Sequence, residues 1–243
     1  YKRQPRAVAR VEKFARLPVW PAWNGVALFL LSLVPGIGPS LAASLEDAVG
    51  GRVCPNFFES GATSPFVMLV HHRHSFAPWD PLRRFQSTFF PEGFPAHPHR
   101  GFITVTYVLK GGFRHRDSMG VKQYYGAQPR HGGRHTQWLT TGAGLLHEEM
   151  WDVEAGNDHE LYQLWVNLPS KFKMTPPRYQ SFAEADFPVY RLENPGITVK
   201  VIAGSFESVS SPVQTFSPIN IYEINGPSQS QLEFPLPEGS NTL

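Results

Sequence analysis

Two short stretches of the chain hold residues whose types and spacing suit metal chemistry. In FPAHPHRGF, residues 94–102, His97 and His99 stand one residue apart with Pro98 between them. In LLHEEM, residues 145–150, His147 and Glu149 bracket Glu148. Residues i and i+2 of an extended segment point to the same side, so each stretch presents two donor side chains toward one point. Pro98 stiffens the first pair. Together the pairs offer three imidazole nitrogens and one carboxylate oxygen, a set that suits a first-row divalent ion, iron(II) included, with positions left for water, dioxygen or substrate. An HxH pair alone is a common accident. Two same-face pairs, each beside a strand-like run, make a much stronger case.

Pairs so far apart in the chain meet only if rigid elements carry them. The best strand is GFITVTYVLKGG, residues 101–112, where Ile103, Val105, Tyr107 and Leu109 alternate with Phe102, Thr104, Thr106 and Val108 before Gly111-Gly112 ends the run. PFVMLVHHRH at 65–74 is a compact apolar run suited to a buried strand. TQWLTTGAGLLHEEMW at 136–151 reads as strand, glycine turn, strand, and HELYQLWVNLP at 159–169 as another strand. ITVKVIAG at 197–204 and INIYEI at 219–224 follow, and no helix-length amphipathic segment stands out. Many short strands with 21 Gly and 23 Pro predict an all-β fold, a sandwich or antiparallel barrel. Residues 1–50, with Pro18, Pro21, Pro35 and Pro39, read as a leader or irregular arm, and 51–180 as the metal-binding domain. Residues 185–243 read as the start of a second β unit; about 55 residues are few for a closed barrel, so it is expected to be incomplete.

Composition narrows the field. A chain of 243 residues can bury a core without disulfides or a structural metal. Charged residues are 17% and the net charge is +2, which gives no basic footprint for direct nucleic-acid binding. Cys54 is the one cysteine, so no intrachain disulfide forms, and a packed, inert thiol is expected. The chain opens on Tyr1, as expected where the true amino terminus lies upstream or has been removed. Lys2, Arg3, Arg6, Arg10, Lys13 and Arg16 precede the apolar run GVALFLLSLVPGIG at 25–38, too short for a stable membrane span of about 20 residues. Basic stretch, apolar stretch and LAAS at 41–44 have the order of an organelle-targeting leader; the alternative is a segment that covers a core.

The same residues carry a family resemblance. GFPAHPHRGFITVTYVLKGGFRHRDSMG, then QWLTTGAGLLHEEM, then LYQLWVNLPSKFKMTPPRYQ resemble, in order, the amino-terminal half of pirins, bicupin members of the cupin superfamily. The likeness is close over residues 65–180 and loose elsewhere. It implies a cupin-type antiparallel β-barrel whose mouth binds one iron(II) per chain through His97, His99, His147 and Glu149. Pirins are associated with quercetin 2,3-dioxygenase activity. The resemblance thus implies an oxidoreductase acting on a small aromatic, flavonol-like substrate, with Glu149 as ligand and proton acceptor in catalysis. Animal pirins act as iron-dependent transcriptional co-regulators, so a non-enzymatic protein-binding module is the competing expectation and a metal-stabilised structural barrel the third. A cytoplasmic or nuclear location goes with the family.

There are departures. Four residues after the second histidine, where pirins usually keep a glutamate, stands Ile103, and loss of that carboxylate predicts weak dioxygenation. The connection at 120–138 is longer than usual and adds His131 and His135, which either crowd the pocket or, as the preferred reading, lie in solvent. His115 and Asp117 match the family pattern, either as partners that orient a ligand histidine or as a surface turn. His71, His72 and His74 read as structural or exposed, and Trp138 and Trp165 as core, while Gln137 either lines the cavity or seals the core. Arg100, Arg114, Arg116 and Arg130 are a candidate basic patch for a protein partner, or solvated surface.

Overall fold

The β-branched run at 101–112 becomes β5 (Phe102–Lys110), with one strand paired along each of its two edges. A computed structural model describes residues 17–18, 23–49, 51–75, 80–90, 92–126, 134–152, 158–192, 196–234, 236, 240–241 and 243. β5 lies inside a seven-stranded sheet with β1 (Leu17–Pro18), β2 (Gly51–Phe57), β3 (Phe66–Ser75), β8 (Arg134–Thr140), β10 (Asp158–Asn167) and β11 (Arg178–Ala183), in the order β1-β2-β3-β10-β5-β8-β11. A four-stranded sheet of β4 (Gly93–His99), β6 (Gly112–Asp117), β7 (Lys122–Gly126) and β9 (Leu145–Trp151), ordered β4-β9-β6-β7, lies across it. Every pairing is antiparallel. The two ladders stay separate among the described residues, so the strands form two facing antiparallel sheets and not one continuous ring.

Alternation along β5 sorts its side chains to different tasks. Ile103 and Val105 join Trp138, Val166 and Leu168 in a core that also takes Phe187, Ile202 and Ile219 from the later part of the chain. Thr104, Thr106 and Val108 point the other way, into the space between the sheets, and all three are buried. A smaller cluster of Val108, Phe113, Tyr125, Trp151 and Leu161 closes that space at one end.

The segment at 136–151 has the predicted strand–turn–strand order, yet its strands do not pair with each other. β8 pairs with β5 and β11, whereas β9 pairs with β4 and β6, so the glycine turn carries the chain from one sheet to the other. Gly142 sits at φ +49, and a Cβ there would lie 2.0 Å from the Thr175 carbonyl oxygen, which excludes any other residue.

The irregular arm expected over 1–50 is corrected where it is described. Residues 23–49 form α1 (Trp23–Ser32) and α2 (Gly38–Val49). α1 is apolar almost all round, so it lacks the amphipathic stripe by which helices are read, and Pro35 and Pro39 fall in the link and the first turn, where proline is tolerated. Among the described residues no helix is long and apolar enough to cross a membrane. A short helix α3 (Ser60–Thr63) precedes β3, and α4 (Pro81–Ser87) is capped by Asp80, whose carboxylate accepts from the Leu82 and Arg83 amides.

The later part forms a three-stranded sheet of β12 (Val189–Arg191), β13 (Thr198–Ala203) and β16 (Ile221–Asn225), with a hairpin of β14 (Ser205–Phe206) and β15 (Val209–Ser210). Val199, Val201 and Phe206 make its own small core. Its other face, through Ile202, Ala203 and Ile219, completes the core behind β5. Lys200 seals the seam, with Nζ 2.9 Å from Glu184 and 3.1 Å from Glu223.

Candidate metal centre

β4 and β9 are neighbours in the four-stranded sheet, and their register puts His97 opposite His147. That pairing, together with the two-residue repeat, brings the HPH and HEE stretches to one place. The nearest donor nitrogens of His97, His99 and His147 all lie within 4.8 Å of one another. His97 and His99 approach with their Nε2 atoms 3.1 Å apart. His97 Nδ1 donates to the Pro95 carbonyl at 2.8 Å, which leaves the lone pair on Nε2, facing His99. Two nitrogens bound to one ion at about 2.1 Å and near-right to tetrahedral angles sit about 3.0–3.4 Å apart, so the pair already has a ligand spacing.

The electrostatics point the same way. His147 is 1% exposed and neither ring nitrogen has a hydrogen-bond partner, an arrangement that is costly unless something else takes the lone pair. Burial, with His99, His97 and His115 adding, pushes His147 down to about 2. Burial and the neighbouring His97 hold His99 at about 4. Both imidazoles are therefore neutral at physiological pH, as a metal requires of its ligands. The donor set and the unsatisfied nitrogens fit a divalent ion.

Glu149 is on the same face of β9 as His147 and is 3% exposed, whereas Glu148 points outward to pair with Arg116. Its carboxylate is not among the atoms that converge with the three histidines. Instead Gln163 on β10 donates to it, with Nε2 3.0 and 3.3 Å from the two oxygens. Gln163 in turn accepts from Trp165 Nε1 at 3.1 Å and lies 3.2 Å from Thr106 Oγ1. Burial raises Glu149 to about 7, against the lowering effect of the hydrogen bonds from Gln163 and Thr106. A carboxyl poised there can hold or release a proton at neutral pH. Gln163 escaped the sequence reading; the signal was a polar residue at an inward position of an otherwise apolar strand, YQLWV.

Aromatic rings wall the histidine group. Phe102 and Trp165 lie with centroids 4.6 Å apart, and His99 meets them at 5.0 and 5.1 Å. Trp165, expected in the core, is half-buried and faces the centre. His115, read as a ligand partner or a surface turn, is fully buried beside His147, with ring centroids 5.3 Å apart. Its Nε2 lies 3.0 Å from Asp117 and 2.8 Å from Tyr179 Oη, so it braces the wall without a hydrogen bond to a ligand histidine.

With this geometry in hand, the relatives are informative. A family model described as Pirin matches residues 51–166. The chain carries a pirin-family domain. Pirin-1 of Arabidopsis thaliana is 38% identical over 199 residues, 81% of this chain and 61% of that protein. A pirin-like protein of Caulobacter vibrioides is 40% identical over 150 residues, 62% of this chain and 48% of its own. The chain thus spans about half to three fifths of the relatives it matches. Among solved structures, a quercetin 2,3-dioxygenase from Acinetobacter baumannii superposes with a TM-score of 0.60 at 36% identity, covering 71% of this chain and 57% of that one.

Within the pirin domain, one expectation loses its physical basis. Ile103 is 2% exposed and packs in the core behind β5, on the face opposite Thr104 and Thr106. Its side chain points away from the histidines, so it withdraws nothing from their surroundings and gives no ground for weak dioxygenation. The remaining candidates sort by face. Trp138 is core, while Gln137, paired with Thr106, is buried between the sheets. His72 and His74 are buried and, with His159, gather round Trp151 at centroid distances of 5.7, 5.4 and 4.5 Å. His71 stacks on Tyr162 and reaches Glu160 at 2.9 Å. His135 lies 3.9 Å from Glu184, away from the centre, and His131 and Arg130 lie outside the described residues. Arg114 and Arg116 stand against Asp152 and Glu148, so they form no free basic patch with the exposed Arg100.

Proposed function

We propose that the chain is an iron-binding pirin-domain oxidoreductase that acts on a flavonol-like aromatic substrate, as a quercetin 2,3-dioxygenase does. The observation that carries this reading is the convergence of His97, His99 and His147, with the buried nitrogens of His147 left unsatisfied. These three histidines would hold the ion, and Glu149, next along the same face of β9 but outside their cluster, would be the fourth donor. When bound, iron(II) supplies Lewis-acid and one-electron chemistry at the substrate. The protein's own groups do the rest. Phe102 and Trp165 offer a flat aromatic wall against which a planar ring can stack. Glu149 would take a proton from an acidic substrate hydroxyl, and Gln163 holds its carboxylate in place for that transfer. Residues 185–243 are read as the start of a second cupin unit, on the strength of the antiparallel sheet β12-β13-β16.

Metal analysis of the purified chain, followed by oxygen uptake with quercetin, tests the proposal. One iron per chain, lost in His147→Ala, and quercetin-dependent oxygen consumption that disappears with the iron are expected. An iron-loaded chain that leaves both oxygen and quercetin unchanged refutes the enzymatic reading and leaves an iron-binding module.

A further inference from the structure

We propose that the α1–α2 hairpin docks on a membrane by dipping into one leaflet of an anionic lipid surface. An apolar segment that served the core would bury its large side chains, but this one presents them. Leu33 and Ile37 at the tip are 62% and 74% exposed, and Phe29, Leu30, Val34 and Leu41 are exposed with them. α4 packs beside α1, and Phe85 on it and Phe89 just after it are also exposed, their rings 5.3 Å apart. A continuous apolar surface of this kind marks an interaction site.

The character of the segment selects a lipid as the occupant. No Asp, Glu, Lys, Arg or His occurs between Arg16 and Glu46, so α1, the tip and α2 up to its last turn carry no charge to hold them out of a hydrocarbon phase, and Glu46 and Asp47 come only in the last turn of α2, far from the tip. Helices of 10 and 12 residues are about 15 and 18 Å long, about half of a hydrocarbon core of ~30 Å. They are too short to span and long enough to sink into one leaflet. The tip is tightly made. Gly36 takes φ +86, and a Cβ on Gly38 would lie 2.4 Å from the Leu31 carbonyl oxygen, so the two helices meet as a compact wedge. In the sequence, Trp20 and Trp23 stand just before the apolar run, a residue type favoured at the headgroup level. Before them stand Lys2, Arg3, Arg6, Arg10, Lys13 and Arg16 against the single acid Glu12. A run of this composition is attracted to an anionic surface, whereas a second copy of the chain would bring the same net positive charge and no such attraction.

Co-sedimentation with vesicles of phosphatidylcholine containing about a quarter phosphatidylserine tests this. The chain is expected to pellet with them, to stay in solution with phosphatidylcholine alone, and to be released by salt. Replacing Leu33, Val34 and Ile37 with Ser should lower partitioning by about 100-fold or more, since each removes buried carbons from the bilayer. Replacing Arg6, Arg10 and Lys13 with Gln should also cost about 100-fold, at roughly fivefold per cation. The serine positions are exposed, so the fold survives, and unchanged circular dichroism and metal content verify it. A wild-type chain that ignores the anionic vesicles, or either variant binding as tightly as wild type, overturns the proposal. A dimer abolished by the serine changes, without vesicle binding, assigns the face to a second copy and overturns it too.

Discussion

Replacing Glu149 with Gln in the metal-free protein should make stability less sensitive to pH, by an amount set by the burial of that carboxyl. Glu149 moves from an ordinary value of 4.5 to about 7 on folding. Below 4.5 the carboxyl is protonated in both states and contributes nothing. Between 4.5 and 7 the unfolded chain ionises while the folded chain keeps its proton, so rising pH favours unfolding. Above 7 the folded protein carries the full penalty of a buried carboxylate. A difference of 2.5 pH units corresponds to about 3 kcal/mol. The amide has no charge to bury, so Glu149→Gln should gain about 2.5 kcal/mol relative to wild type between pH 5 and pH 8, the first part of the penalty having already been incurred at pH 5. Its altered hydrogen bonds to Gln163 add a constant that does not depend on pH. The buried histidines titrate alike in both proteins and cancel. Urea unfolding of the two metal-free proteins at each pH, compared as midpoint times slope, measures the effect. If the stability difference is the same at pH 5 and pH 8, Glu149 is an ordinary carboxyl, and its role as a proton acceptor near neutrality falls with it.

Other consequences are open to direct measurement. Iron retention should drop in Glu149→Gln and stay near wild type in Glu148→Gln, because Glu148 points outward to Arg116; equal retention would mean the wrong carboxylate has been assigned. Gln163→Leu removes the donor that positions Glu149 and should cost about 10–100-fold in iron affinity, read by competition with a chelator. Ile103→Glu places a charge in the core behind β5 and should destabilise the protein by about 3 kcal/mol or more without changing iron content; a tolerated glutamate that tightened iron binding would put the side chain on the wrong face. Burial holds His72 at about 4 and His159 at about 3, below their unfolded value of 6.5, so the stability they contribute is full above 6.5 and is lost as pH falls toward 4. His72→Phe should flatten that acid limb in chemical denaturation.

Much of the centre is written in local spacing. HPH and HEE each carry their donors on one face because a strand repeats every two residues, and that holds in any fold that keeps them extended. The strand over 102–110 was equally plain, since its β-branched run suits nothing else. The two helices before residue 50 were not legible, because a helix apolar on every side has no periodicity to read.

What the sequence determined by itself, then, was the donors and their pairing two by two, because both depend on residues a few positions apart. The tertiary structure decided which face of each strand looks at which neighbour. Gly101, at φ +81, turns the chain from β4 in one sheet to β5 in the other, so a residue four places after His99 no longer shares its side, and Ile103 falls into the core. The glycine turn at 142 likewise sends β8 and β9 to different sheets rather than into a hairpin. Gln163 reaches Glu149 because β10 pairs with β5 and faces β9 across the interior, a meeting fixed by packing between sheets. Local spacing sets which side chains travel together. Which partners they meet depends on long-range strand order, and that is settled only when two sheets close on a shared interior.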